Sequence, residues 1–555
     1  MRRSNFPLRF IAIAIGAMLS HEAVANPTGP TPVRGVTSIS GLGTSSVTVN
    51  TNNAKAIINW QGFSIGADEL TRFSQPSATA AVLNRVTSTQ ASSILGSLQS
   101  NGQVFLVNPN GIFFGAGATV DVAGFVASSL NLANSDFISG RLRFAETPGA
   151  GQVETSGFSR FAPPGFTGPG TRINAPGGFV YLVAPSMNIG GGINATEVIL
   201  AAAKSVEIIN PGTPHVTVNI SAGSENIMRN FGAISGGRIN IFAGVIHISG
   251  GDQSSAATVS ASTAVAGPDG TVTLRATGDI NVGPEAGSIF NLGPRVEASK
   301  RVKMIAGENI TISCPECSPD IPDQGRAAVR GGDIFLKGSE ITQGANASLL
   351  GSNLTIAASG DVDLGNFSNS VAKFGGRASG DVVFNNTSPR LRVTGLKIRP
   401  PHSLSVTQHG DLNIKGDVIS GPQTISATGK VLVKPGRSGG INVFAAGPQS
   451  IESGGDMTIQ GGTSRDAFAL VSSSDNIDLT VGGTLRLNSG SVPQAWARAQ
   501  TEDRDSTITL HFPNLSSGGW LVNGSAGAVR QGQSGFLSGS GAAVLGRALV
   551  VDYGP

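Results

Sequence analysis

The chain has 555 residues, of which only 13% are charged, and a formal net charge of +3; ordinary domains carry about 25% charged residues. Gly contributes 77 positions, while there are two Tyr and three Trp. This mix argues against helical bundles, because Gly, Asn, Ser and Thr compete with helix. It also argues against a highly charged disordered chain and, lacking long Lys/Arg runs, against nucleic acid as a partner.

The first residues read as a signal peptide. Arg2, Arg3 and Arg9 supply the positive start, and Phe10 to Leu19 is an apolar run too short to span a bilayer. Ala23-Val24-Ala25 places the cut after about Ala25, which leaves a net charge of +1. No later apolar stretch reaches spanning length. The mature chain is therefore expected to leave the inner membrane entirely, into the periplasm.

Residues 57–130 carry the densest pattern. The chain reads Ile57-Ile58-Asn59-Trp60, Phe73-Ser74-Gln75-Pro76 and Val82-Leu83-Asn84-Arg85-Val86. It continues with Asn101-Gly102-Gln103-Val104-Phe105-Leu106-Val107 and Asn108-Pro109-Asn110-Gly111-Ile112. Asn108 to Gly111 has the residues of a type I turn, each where that turn prefers it, between strand-like runs. Ala78 to Leu98 is rich in Ser and Thr, and no helix is expected there.

This ordered series, just after a signal peptide, resembles the haemagglutination-activity, or two-partner secretion, domain of filamentous haemagglutinin-like exoproteins. The resemblance covers roughly residues 30–275. It implies a right-handed β-helix with an N-terminal cap, and export through a dedicated outer-membrane β-barrel transporter that recognises the domain unfolded. It implies a secretion or folding role for Asn108, Pro109, Asn110, Gly111 and Ile112, and places Asn84 and Arg85 in a second family-like motif. The upstream Asn-Pro-Asn-Leu motif of some members is not found. Only about 280 residues follow the domain, where many such exoproteins run several times longer.

Cys314 and Cys317, in Cys-Pro-Glu-Cys, are the two cysteines. Behind a signal peptide they meet an oxidising compartment, and a small local disulfide loop is the simplest reading. Thioredoxin-like chemistry lacks its βαβ context. No His or Cys cluster supplies the remaining ligands of a zinc site, and no metal or other cofactor is expected.

From about residue 275 a theme recurs: Gly, a polar residue, then an alternating apolar pair. Gly278-Asp279-Ile280, Gly360-Asp361-Val362, Gly380-Asp381-Val382, Gly410-Asp411-Leu412, Gly429-Lys430-Val431 and Gly455-Asp456-Met457 are examples, spaced about 19 to 30 residues apart. Period-two alternation puts the aliphatics on one strand face. Strands this short are not stable alone, but stacked coils share one core, with Gly and Asp at the corners. A parallel β-helix fits best, as a rod of very roughly 100 Å. The apolar stretch Ala543 to Val551 is a candidate final coil.

The expected organisation is a signal peptide at 1–25, a secretion domain at 26–275 and a β-helix repeat region at 276–555. The expected function is a secreted or surface adhesin with a host-cell or glycan receptor, and no enzyme. Parallel β-helices also carry polysaccharide-active enzymes, so Asp361 with Asp363, and Gln408-His409-Gly410-Asp411, are the positions to test for catalysis. Asp after Gly at many coils, without a His or Arg partner, favours solvated turns. A passive matrix component is the other reading. Cargo or toxin presentation would need a C-terminal composition shift, which is not seen.

Overall fold

The protein is described by a computed structural model covering residues 26–157, 170–211, 213, 216–249, 258–261, 270–284, 293–315, 317, 326–366, 368–436, 439–490, 495–503, 506–513, 520–523, 537–539, 542–545 and 548–553. The expected signal peptide, 1–25, lies outside them.

Apolar residues alternate with polar ones along short strands, so each strand has one face to bury. Neighbouring windings of the chain supply the cover. One ladder of 17 strands runs from Ser92–Ile94 to Ala548–Tyr553, every strand parallel to the next. At about 4.8 Å per rung this ladder is on the order of 80 Å long. Partner residues on it lie from 18 (Met228 and Ile246) to 41 (Ile112 and Val153) positions apart. Between Ile280 and Ile508 they lie 19 (Leu404 and Gln423) to 31 (Ile477 and Ile508) apart, in keeping with the spacing of the Gly-polar theme.

Two further ladders complete each coil. At first they use separate strands, such as Thr119–Asp121 and Gly124–Ser128. In the middle of the chain one long strand serves both, as in Arg172–Ala184, with a register break between Ala175 and Phe179. From Asp411–Ile414 and Val418–Ser420 the two ladders again use separate strands. The inward residues, from Val47 to Val544, form one continuous core. This is the expected all-β parallel helix.

The first coils are closed by antiparallel pairing. Thr31–Arg34 lies against Lys55–Trp60, and Val36–Ser40 against Ser46–Thr51. That is the expected N-terminal cap. Residues 78–98 hold the strands Ala81–Val86 and Ser92–Ile94. Ala542–Leu545 and Ala548–Tyr553, which overlap the candidate final coil at Ala543 to Val551, stack in parallel on Ala497–Thr501 and Thr507–Phe512. Among the described residues, no helix is long and apolar enough to cross a membrane.

Outside the column, a four-stranded antiparallel sheet (Asn131–Leu132, Leu142–Ala145, Ser205–Ile209 and Thr217–Ser221) and a short helix, Asn134–Ser139, cover one face. Between cover and column lies a second core that includes Leu83, Phe105, Phe137, Phe144, Tyr181 and Ile199.

Candidate secretion and folding site

Asn108 follows the strand Gln103–Val107, whose apolar residues bury on both faces. Its side chain is fully buried and fully bonded. The amide Nδ2 donates to the Gln90 carbonyl at 2.9 Å and to Ser92 Oγ at 3.0 Å. Its Oδ1 accepts from the backbone N–H and the Nδ2 of Asn110, both at 3.0 Å. The turn closes with the Gly111 N–H on the Asn108 carbonyl. Asn110 Nδ2 reaches back to the Ser88 carbonyl at 2.8 Å.

The next coils hold the turn from the other side. The Asn108 N–H donates to Ser128, the Gly151 N–H to Pro109, and the Ile112 N–H to Gln152. Gly111 has φ +107°, and a β-carbon there would sit 3.0 Å from the Gln152 carbonyl oxygen. Only Gly enters that conformation cheaply. Ile112 is buried and starts a strand in register with Ser92 on one side and Val153 on the other. The motif is thus a clamp between windings. Its partners Ser88, Gln90, Ser92, Ser128, Gly151 and Gln152 carry no motif of their own.

Asn84 and Arg85 lie one rung away, in register with Leu106 and Val107. Asn84 is buried, accepts from the Trp60 indole N–H at 3.0 Å, and donates to the Phe105 carbonyl at 3.3 Å. Arg85 donates to Asn131 Oδ1, to the Leu132 carbonyl and to Asn134 Oδ1. It therefore fastens the column to the start of the short helix, and burial lowers its pKa. Phe137 of that helix packs edge-on to Phe105, with Lys55 4.7 Å above its ring. Burial likewise lowers the Lys55 pKa. Neither the helix nor the cover sheet was legible as a motif.

The recurrent Gly-Asp pairs have a structural use. Asp361 Oδ1 accepts the Asp381 N–H of the following coil at 2.8 Å, and Asp411 Oδ1 the Lys430 N–H at 3.0 Å. Asp456 Oδ1 likewise takes the Thr484 N–H at 2.9 Å. The glycine before each donating N–H makes room. A β-carbon on Gly380, Gly429 or Gly483 would lie 2.2, 2.6 or 2.5 Å from the carboxylate below it.

Asp363 caps the N–H of Gly365 at 2.9 Å. Asp361, Asp381 and His402 approach one another, with His402 Nδ1 3.7 Å from Asp381 Oδ1, and the same Asp381 oxygen accepts from the Ser403 N–H and hydroxyl. The Ser403 bonds hold the Asp381 pKa below its usual value. Contrary to the expectation that such aspartates lack a His or Arg partner, Asp411 and Asp456 also face Arg390 and Arg486. Gln408 points inward and is fully buried, donating to the Ser388 carbonyl. Cys314 and Cys317 are joined as a disulfide inside the core, with Cα atoms 5.3 Å apart. The Cys314 N–H donates to Ala345 of the next coil.

The model of the TPS secretion domain family matches residues 23–282. Two heme/hemopexin-binding proteins of Haemophilus influenzae are similar in part. One is 38% identical over 106 residues, 19% of this chain and 12% of that protein; the other is 34% identical over 131 residues, 23% and 14%. The alignments thus span about an eighth of those relatives. Among solved structures, the HMW1 secretion domain from Haemophilus influenzae aligns with a TM-score of 0.35 and 17% identity, over 95% of this chain and 100% of that one. A filamentous hemagglutinin secretion domain aligns at 0.22 and 13%, over 68% and 100%. Residues 23–282, just under half of the chain, are thus a TPS secretion domain.

Proposed function

We propose that an outer-membrane β-barrel transporter of the two-partner type exports this chain, after a signal peptide is removed at about Ala25. The secretion domain, 26–275, folds first, and the coils of 276–555 add to it by nearest-neighbour stacking. The mature protein is secreted or held at the cell surface as an adhesin, with its receptor on the outer faces of the column. The match of residues 23–282 to the TPS secretion domain carries this reading.

Asn108 to Ile112 acts in folding. Its first side chain, Asn108, is sealed between windings, so a folded copy does not display that side chain. Asn84, by tying neighbouring windings, and Arg85, by joining the column to the cover, act with it. The decisive experiment is co-expression of the transporter with Asn108→Ala and with a deletion of Asn108 to Gly111. Losing the side chain strands several buried polar groups, at about 1–3 kcal/mol each. The expected result is at least a tenfold fall in secreted protein and loss of a protease-resistant N-terminal core. Normal secretion with a normal core overturns the role.

A further inference from the structure

Along one face, the outward residue of each coil forms a column of in-register positions. Val183, Ala201 and Phe242 occupy it beneath the cover. One rung later the chemistry changes. The column continues as Arg275, Ile305, Lys337, Ala357, Arg377 and Lys397. The four cations are exposed. They line an open groove of about 850 Å³, together with Arg399.

The groove is built by repetition. Its floor is the buried small residues Ala276, Ala306, Gly338, Ala358 and Ala378, and its far wall carries Thr277, Ser339, Ser359 and Ser379. No lining residue is acidic, and none is aromatic. Among the described residues, none of the five cations takes part in an ion pair. From Arg275 to Lys397 the column climbs five rungs, about 24 Å at ~4.8 Å each.

We propose that this groove binds a linear acidic polysaccharide, carboxylated or sulfated, lying along the column axis. A single exposed ion pair is weak, so the site suits a ligand whose charge repeats as the coils do. The hydroxyl wall offers partners to sugar hydroxyls, and without aromatic rings the groove offers no platform for nucleobases. The inference deepens the adhesive reading by naming its ligand class, and it rests on that reading only for its biological use.

The test uses purified full-length secreted protein, with heparin and polygalacturonate as probes, and dextran and a single-stranded oligonucleotide as comparators. The variant is Lys337→Gln/Arg377→Gln/Lys397→Gln. Its control, Arg172→Gln/Arg330→Gln/Lys430→Gln, removes the same charge from positions outside the groove. The expected result is binding of at least one acidic polysaccharide and not dextran, at least tenfold weaker in the groove variant, within twofold of wild type in the control, and weakened by salt. Three results overturn the proposal: no binding by wild type, equal loss in both variants, or tighter binding of the oligonucleotide. None bears on export, which the Asn108 variants read separately.

Discussion

The column is one backbone plan finished in two ways. Between Ile57 and Phe242 one outer face is buried under the antiparallel sheet and the short helix, so those strands are dry on both sides. From Arg275 onward the same face meets water. There the coils are tied by polar stitching. Asp and Asn side chains cap N–H groups one winding on, and buried amides stack inside the column. Gln343 and Asn369 exchange bonds of 2.7 and 2.8 Å, Asn386 donates to Gln408 at 2.8 Å, and Gln449 to Gln423 at 2.7 Å. The difference teaches that a solenoid's inner core sets its repeat, while what lies on the outer face separates a folding nucleus from a display surface.

If the covered half owes its order to the second core, Phe137→Ala should have the largest effect. Emptying a fully buried aromatic site costs about 3–5 kcal/mol. Amide hydrogen exchange should rise across residues 55–145 and stay unchanged beyond residue 340. A uniform rise along the chain would erase the distinction between the halves.

The converse test is Asn369→Ala. It strands partners at Gln343 and Asn385, at about 1–3 kcal/mol for each group left bare. Exchange should rise around residues 340–410 and leave the covered half untouched. Smaller still, Asp381→Ala removes an exposed cap on Ser403, worth about 1 kcal/mol. Asp381→Asn keeps the acceptor and should melt within one degree of wild type. A large loss with Asn would mean that the carboxylate charge, and not its bond, is what matters.

The smallest effect should come from pH. The Thr484 N–H, followed by Arg486, holds the Asp456 carboxyl below its ordinary value, and the Ser403 N–H does the same for Asp381. Because both are lowered in the folded state, their contribution is whole above the usual carboxylate range and fades as pH falls through the lowered values. Exchange in the stitched coils should therefore quicken slightly below about pH 4, and less so in Asp456→Asn/Asp381→Asn.

Much of this was legible in the residues. Gly278-Asp279, Gly380-Asp381 and Gly455-Asp456 announce coil corners because the physics is local, a small residue beside a short acceptor. Asn108 to Gly111 announces a turn for the same reason. The cover was not legible, because its strands are short alternating segments like any others and only the tertiary fold decides which outer face they meet. One signal was present. Val104-Phe105-Leu106-Val107 and Val180 to Ala184 are unbroken apolar runs, as strands buried on both faces should be. Arg85 could not disclose its role, since its partners at 131–134 are some 46 to 49 positions away.

The antiparallel strands Thr31–Arg34 and Val36–Ser40 seal the foot of the stack. Bare strand edges recruit whatever strand comes near, and a sealed foot leaves one growing end. A polypeptide threaded outward amino end first would deliver its segments in the order in which that end can accept them. Direction of travel and direction of construction then coincide, and each completed storey makes backsliding more costly.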